Sequence, residues 1–136
     1  MPDQEQHGAV YVIHGERVRS LDDFYREIGE AINGPGGYFG RNLDALWDCL
    51  RGGFGTPDEG GYTIRWLNAE QSRRALGYEE TIRQLERRLQ RSHPSWHAVN
   101  QAKLADAKRH EGPTVFDWIV DLLREAEEFG VTLELC

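Results

Sequence analysis

Only two cysteines, Cys49 and Cys136, occur in 136 residues, too few for a disulfide framework to stand in for a core. A reducing cytoplasm is therefore the expected compartment, and Cys49, inside an apolar helical pattern, reads as a small buried thiol. Long hydrophobic runs are also missing: the longest unbroken apolar stretch is the five residues 9–13. A bilayer span needs roughly 20 such residues, so no membrane segment is expected. The opening MPDQEQHGAV has neither a basic n-region nor an apolar h-region, and no signal peptide is expected either. Positive charge is scarce, with 16 Lys and Arg against 23 Asp and Glu and a formal net charge of −7. That balance disfavours a phosphate backbone as the main partner and favours a cationic one.

What is present amounts to one domain, residues 1–136, long enough to bury roughly two-thirds of the unfolded chain's surface. Its charge is uneven: residues 69–112 hold nine basic and six acidic side chains, and the remainder seven basic and seventeen acidic. The acidity belongs to the flanks of this middle segment. Residues 9–13, AVYVI, are β-rich and apolar on both faces, which predicts a buried strand of a parallel sheet. Ser20 is a good N-cap for a first helix carrying Leu21, Phe24, Tyr25, Ile28 and Ile32 at helical spacing, up to the breaker NGPGG at 33–37. Asn42 predicts the cap of a second helix to about Arg51, and YTIRWL at 62–67 a second strand. Asn68 is expected to cap a further helix over 69–76. Residues 79–91 read as an Arg-bearing helix, 92–112 as mixed and broken by Pro94 and Gly112-Pro113, 113–130 as a helix ended by Gly130, and 131–135 as a last strand. Strands alternating with helices predict a small parallel α/β sheet with right-handed crossovers. No internal repeat or low-complexity tract interrupts it.

The second helix raises a question of its own. At 100° per residue, Leu43, Leu46 and Leu50 share one side, Asp44 and Asp48 lie opposite, and Trp47 falls between, half exposed. Asp44 is in the first turn, where the helix dipole favours an anion. Asp48 is near the other end and has no such reason to be there; Asp is a poor helix former, and like charges at i and i+4 repel. Tyr38, Phe39, Trp47 and Phe54 place aromatic surface around the pair, as binding hot spots do, although Phe39 is better read as core. The glycines at 34–40 lack dinucleotide spacing and a GK[ST] sequence, which excludes a phosphate loop. They suit an exposed, partner-facing loop instead.

YFGRNLDALWDCL at 38–50, VIHGERVRSLDDF at 12–24, IRW at 64–66 and REAEEFGVTLEL at 124–135 resemble the barstar family, intracellular inhibitors of secreted bacterial ribonucleases. Residues from about 77 to 112 have no counterpart and read as an insertion. The resemblance implies a three-stranded parallel sheet covered by helices and a monomer without cofactors. It implies that the second helix and its preceding loop plug the basic active site of a guanyl-specific microbial ribonuclease. The residues carried over to that surface are Tyr38, Asn42, Asp44, Trp47, Asp48, Gly52, Phe54 and Glu125, with Asp48 taking the enzyme's phosphate site. Three departures stand out: Arg41 in place of an acidic residue, a longer 52–61 loop with Phe in place of Trp, and the basic insertion.

Two rival classes follow from other residues. Asp44, Asp48 and Glu125 offer oxygen ligands for Mg²⁺ in an enzyme, and His93 and His97 an acid and base, though Pro94 spoils a helical ligand pair. Arg73, Arg74, Arg83, Arg87, Arg88 and Arg91 would serve an RNA-binding or adaptor surface. Pairing with Glu79, Glu80 and Glu86 at helical spacing is the simpler account of those arginines.

Overall fold

A central strand, β2 (Tyr62–Leu67), pairs in parallel with β1 (Val10–His14) on one side and β3 (Val131–Leu135) on the other. The computed structural model from which this is read describes residues 9–57 and 61–136. Six helices connect the strands: α1 (Leu21–Asn33) and α2 (Leu43–Leu50) before β2, then α3 (Ala69–Ala75), α4 (Tyr78–Arg91), α5 (His97–Lys108) and α6 (Val115–Glu125) before β3. This is the expected three-stranded parallel α/β arrangement. Among the described residues no helix is long and apolar enough to cross a membrane.

Strand β2 alternates as a one-sided core strand should, with Tyr62, Ile64 and Trp66 buried and Thr63, Arg65 and Leu67 half-buried. The Trp66 ring packs between Phe24 at 5.1 Å and Phe116 at 5.2 Å. Its indole N–H donates to Ser72 Oγ at 2.9 Å, and that hydroxyl donates to the Gly15 carbonyl at 2.7 Å. Every polar atom this indole brings into the core is thereby satisfied. Strand β1 differs from expectation: it is an edge strand, with Ile13 fully buried but Val10 47% exposed. An apolar run five residues long cannot distinguish a two-faced central strand from an edge strand.

Ser20 caps α1 as expected, its hydroxyl accepting from the Asp23 N–H at 3.1 Å. Asn68 does not cap α3. It adopts the left-handed conformation, φ 52°, and its amide donates to Glu16 at 2.9 Å. The first N–H of α3, on Ala69, is instead taken by the Cys136 carbonyl just past β3. Asn is one of the few residues that tolerates that backbone region. At α6 the cap is Thr114, in a capping box with Asp117, so Pro113 lies just ahead of the helix.

Residues 92–112 are more regular than their sequence suggests: α5 occupies much of the segment and forms a hairpin with α4. Only Asn100 and Ala107 of α5 are buried, so it shows almost no apolar periodicity to read. Helix α4 is welded to the rest of the fold by two side chains in its first turn. The Glu80 carboxylate, nearly inaccessible, accepts from the Leu21 N–H at the start of α1 (2.9 Å), from Arg83 Nε and Nη2 and from Gln84. Thr81 Oγ1 accepts from the Val115 N–H at the start of α6 (2.9 Å) and donates to the Gly77 carbonyl. One anion therefore closes the N-terminus of a helix 59 positions earlier in the chain.

Burial alone would raise the Glu80 pKa, but the hydrogen bonds from Arg83, Leu21 and Gln84 and the Arg83 charge outweigh it, holding the carboxyl below its ordinary 4.5. Its contribution to stability is complete above the unfolded-state value and is lost as pH falls through the lower folded-state value. Urea unfolding followed from neutral pH downwards should therefore show wild type losing stability below about pH 4.5. A Glu80→Gln variant should start about 2 kcal/mol less stable and lose less over the same interval.

Candidate functional site

Helix α2 begins with Asn42 in an extended conformation, its Oδ1 accepting from the Ala45 N–H at 2.8 Å. Leu46, Cys49 and Leu50 are at most 1% exposed, whereas Asp44 and Asp48 are exposed on the other side. Trp47 is half-buried between the two faces, its ring 5.1 Å from Phe129. The helix thus divides as its spacing predicts. Among the described residues neither aspartate has a hydrogen bond or ion pair to its side chain. Their environments differ nonetheless. Asp44 lies on the same groove as Arg88 and Arg41 and acts electrostatically on Arg88. Asp48 is close enough to the Cys49 thiol to help burial raise its pKa.

Two loops flank α2, and one side chain ties them together. Asn33, the last residue of α1, donates from Nδ2 to the Tyr38 carbonyl at 2.7 Å and to the Phe54 carbonyl at 2.8 Å. The backbones at Tyr38 and Phe54 are thereby tied to one amide, and the two residues are 46% and 45% exposed. Phe39, next after Tyr38, is fully buried and anchors the loop from beneath. The glycines permit close approach: a methyl group on Gly29 would collide with the Gly37 carbonyl, and one on Gly55, at φ +113°, with the Asn33 side chain. Asn33 reads in sequence merely as the first residue of a breaker, since nothing local marks an amide that bridges 21 positions.

Gly52 follows the helix at φ +126°, its N–H donating to the Cys49 carbonyl at 3.1 Å. Beyond it, residues 58–60 of the longer loop lie outside the described residues. Glu125, exposed, ends α6 one turn before Phe129, the ring on which Trp47 packs. The Arg51 guanidinium lies over the same Phe129 ring, 5.6 Å from its centre. Tyr38, Phe54, Trp47, the two aspartates and Glu125 are accordingly contributed by α2, the loops on either side of it and the end of α6, just ahead of the 3-10 turn (Ala126–Phe129) that α2 touches.

The rival assignments fare differently. Asp44, Asp48 and Glu125 do not gather as metal ligands; among the described residues no three His, Cys, Asp or Glu side chains do. His93 caps a short 3-10 turn, its Nδ1 accepting from the Ser95 N–H at 3.1 Å. Of the six arginines, Arg73 and Arg74 pair with Glu70, Arg83 with Glu80 and Arg87 with Asp22. Arg88 lies 4.4 Å over the Trp118 ring, and Arg91 is exposed. Glu79 and Glu86 take no part in these pairs.

Against known proteins, the family model described as "Barstar (barnase inhibitor)" matches residues 8–104. A Bacillus subtilis (strain 168) protein named "Putative ribonuclease inhibitor YrdF" is 35% identical over 66 residues, 48% of this chain and 67% of that protein. The matched region contains β1, β2, the two loops and the whole of α2. The chain belongs to the Barstar family.

Proposed function

We propose that this protein inhibits a basic, secreted, guanyl-specific microbial ribonuclease by covering its active site with α2 and the flanking loops. The observation that carries the reading is the pair of exposed aspartates on a helix whose opposite face is locked in the core. Family membership and the name of the Bacillus relative support a ribonuclease-inhibitor role in preference to an enzymatic one. A ribonuclease active site gathers Arg, Lys and His to grip phosphate, so a fixed anion presented to it forms charge-assisted hydrogen bonds without reacting. Inhibition is then occlusion: the substrate is excluded and no bond in the inhibitor is exposed to chemistry. Asp48 takes the phosphate position, Tyr38, Trp47 and Phe54 supply apolar contact at the rim, and Glu125 adds a peripheral anion. Long-range attraction between acidic helix and basic cleft speeds encounter, and salt screens it.

Asp48→Ala provides a two-sided test. Replacing a late-turn aspartate by Ala removes an unfavourable dipole interaction and a poor helix former, so thermal unfolding should show the variant about 0.5 kcal/mol more stable. Titration against a panel of secreted microbial ribonucleases, followed as loss of RNA cleavage, should show it binding more weakly by about 2–5 kcal/mol, a range to which the barnase–barstar pair itself contributes. Equal inhibition by wild type and variant would overturn the assignment.

Asp44→Ala should cost less than Asp48→Ala in that titration, because Arg88 and Arg41 already offset part of the Asp44 field. Asn33→Ala touches no proposed contact side chain but releases both loops; it should weaken inhibition by about 1–2 kcal/mol and leave the salt dependence of association unchanged.

A further inference from the structure

The α4–α5 hairpin and the edge formed by α1 and the start of α2 enclose an open groove of about 640 Å³. Its lining reverses the charge of the molecule. Arg41 enters from the loop before α2, Arg87, Arg88 and Arg91 from α4, and Lys103 from α5, against the carboxylates of Asp22 and Asp44. Arg87 is satisfied by Asp22 at 3.5 Å. Among the described residues none of the other four cations is in an ion pair. Asp44 is the second carboxylate within the groove, and although Arg88 and Lys103 also border a smaller pocket with Asp106 and Glu111, those two carboxylates pair with Arg109. Arg88 is the most informative of them. Stacked on Trp118, it is half-buried, and burial lowers its pKa while Tyr25 and Asp44 act the other way. A half-buried guanidinium fixed on a ring and bonded to no carboxylate keeps its N–H donors free for an anion from outside. Trp96, on the groove wall, leaves 59% of its surface in water, the largest exposure of any large apolar side chain described.

We propose that this groove binds a nucleoside phosphate, with the guanidinium and ammonium groups holding the phosphate and the Trp96 ring taking the base. Cations converging from three segments match a phosphate, which accepts from several donors at once. An exposed indole beside them matches a base, which stacks on any aromatic face. The volume lies within the span of small-molecule sites. An acidic peptide would satisfy the cations but would leave the indole without a planar partner. The site does not depend on the ribonuclease reading: it is built on the α4–α5 hairpin, and of the start of α2 it uses Asn42, Leu43 and Asp44 but not Trp47 or Asp48.

The test is calorimetric titration of the full chain at low salt with AMP and, separately, with a short single-stranded oligoribonucleotide. Adenosine, inorganic phosphate and pentaglutamate serve as controls. Saturable binding of AMP assigns a free nucleotide, and saturation by the oligonucleotide alone assigns a strand end; either supports the site. Trp96→Ala and Lys103→Glu, both at exposed positions, should each weaken binding about tenfold at unchanged thermal midpoint. The oligonucleotide affinity should fall steeply with salt. The proposal is overturned if neither probe saturates, if inorganic phosphate or pentaglutamate binds as tightly as the nucleotide, or if both variants bind like wild type.

Discussion

Helix α2 is only eight residues long, too short to persist in water on its own propensity. What holds it is the burial of Leu46, Cys49 and Leu50 in the core, the Tyr62 hydroxyl donating to the Leu50 carbonyl, and the cap from Asn42. That packing fixes the rotation of the helix about its axis, and the rotation decides which side chains face out. The exposed acidic face, the proposed recognition surface, is thus set by a constraint on its hidden side. Asp44 and Asp48 need no interaction of their own to be positioned, and this leaves their hydrogen-bonding capacity unspent.

The same economy operates around α2. Asn33 spends both amide hydrogens on carbonyls from two different loops, so two glycine-rich segments that would each sample many conformations are ordered by one side chain. Phe39 beneath one loop and the Trp47–Phe129 contact at the other end of the helix complete the frame. Ordering during folding removes an entropy cost from association, where it would otherwise subtract directly from affinity.

Much of this was legible in the sequence, and where it was not the reason is physical. The boundaries of β2, the caps Ser20 and Asn42, and the division of α2 into apolar and acidic sides are local properties that a pattern of a few residues can encode. The barstar-like signature at 38–50 marked the family for the same reason. Helix α5 was hidden because it packs on α4 through two small buried positions and leaves no amphipathic stripe. Asn68 and Asn33 illustrate the opposite failure. Each has the chemistry of a cap, and tertiary partners redirected it, to Glu16 in one case and to two loop carbonyls in the other. Edge and centre of the sheet were also undetermined, because strand order is a property of the whole chain.

Charge arrangement gives the α4–α5 hairpin its meaning. In a chain of net charge −7, a cluster of arginines would ordinarily be consumed by neighbouring carboxylates, and along α3 and the start of α4 that happens. Toward the end of α4 it does not: Arg88 stacks on a ring, Arg91 stays exposed, and both turn toward a groove that also receives Arg41 and Lys103. The anchoring of α4 through Glu80 and Thr81 holds that basic wall at a fixed place beside the first turn of the acidic helix. A cationic body covering α2 would meet repulsion if it spread over the groove, since like charges brought together in a partly dehydrated contact cost more than they do in water. On the proposed docking mode the hairpin would therefore restrict how a basic partner sits even without touching it, and Arg41, at the junction of the two surfaces, would mark where attraction gives way to exclusion.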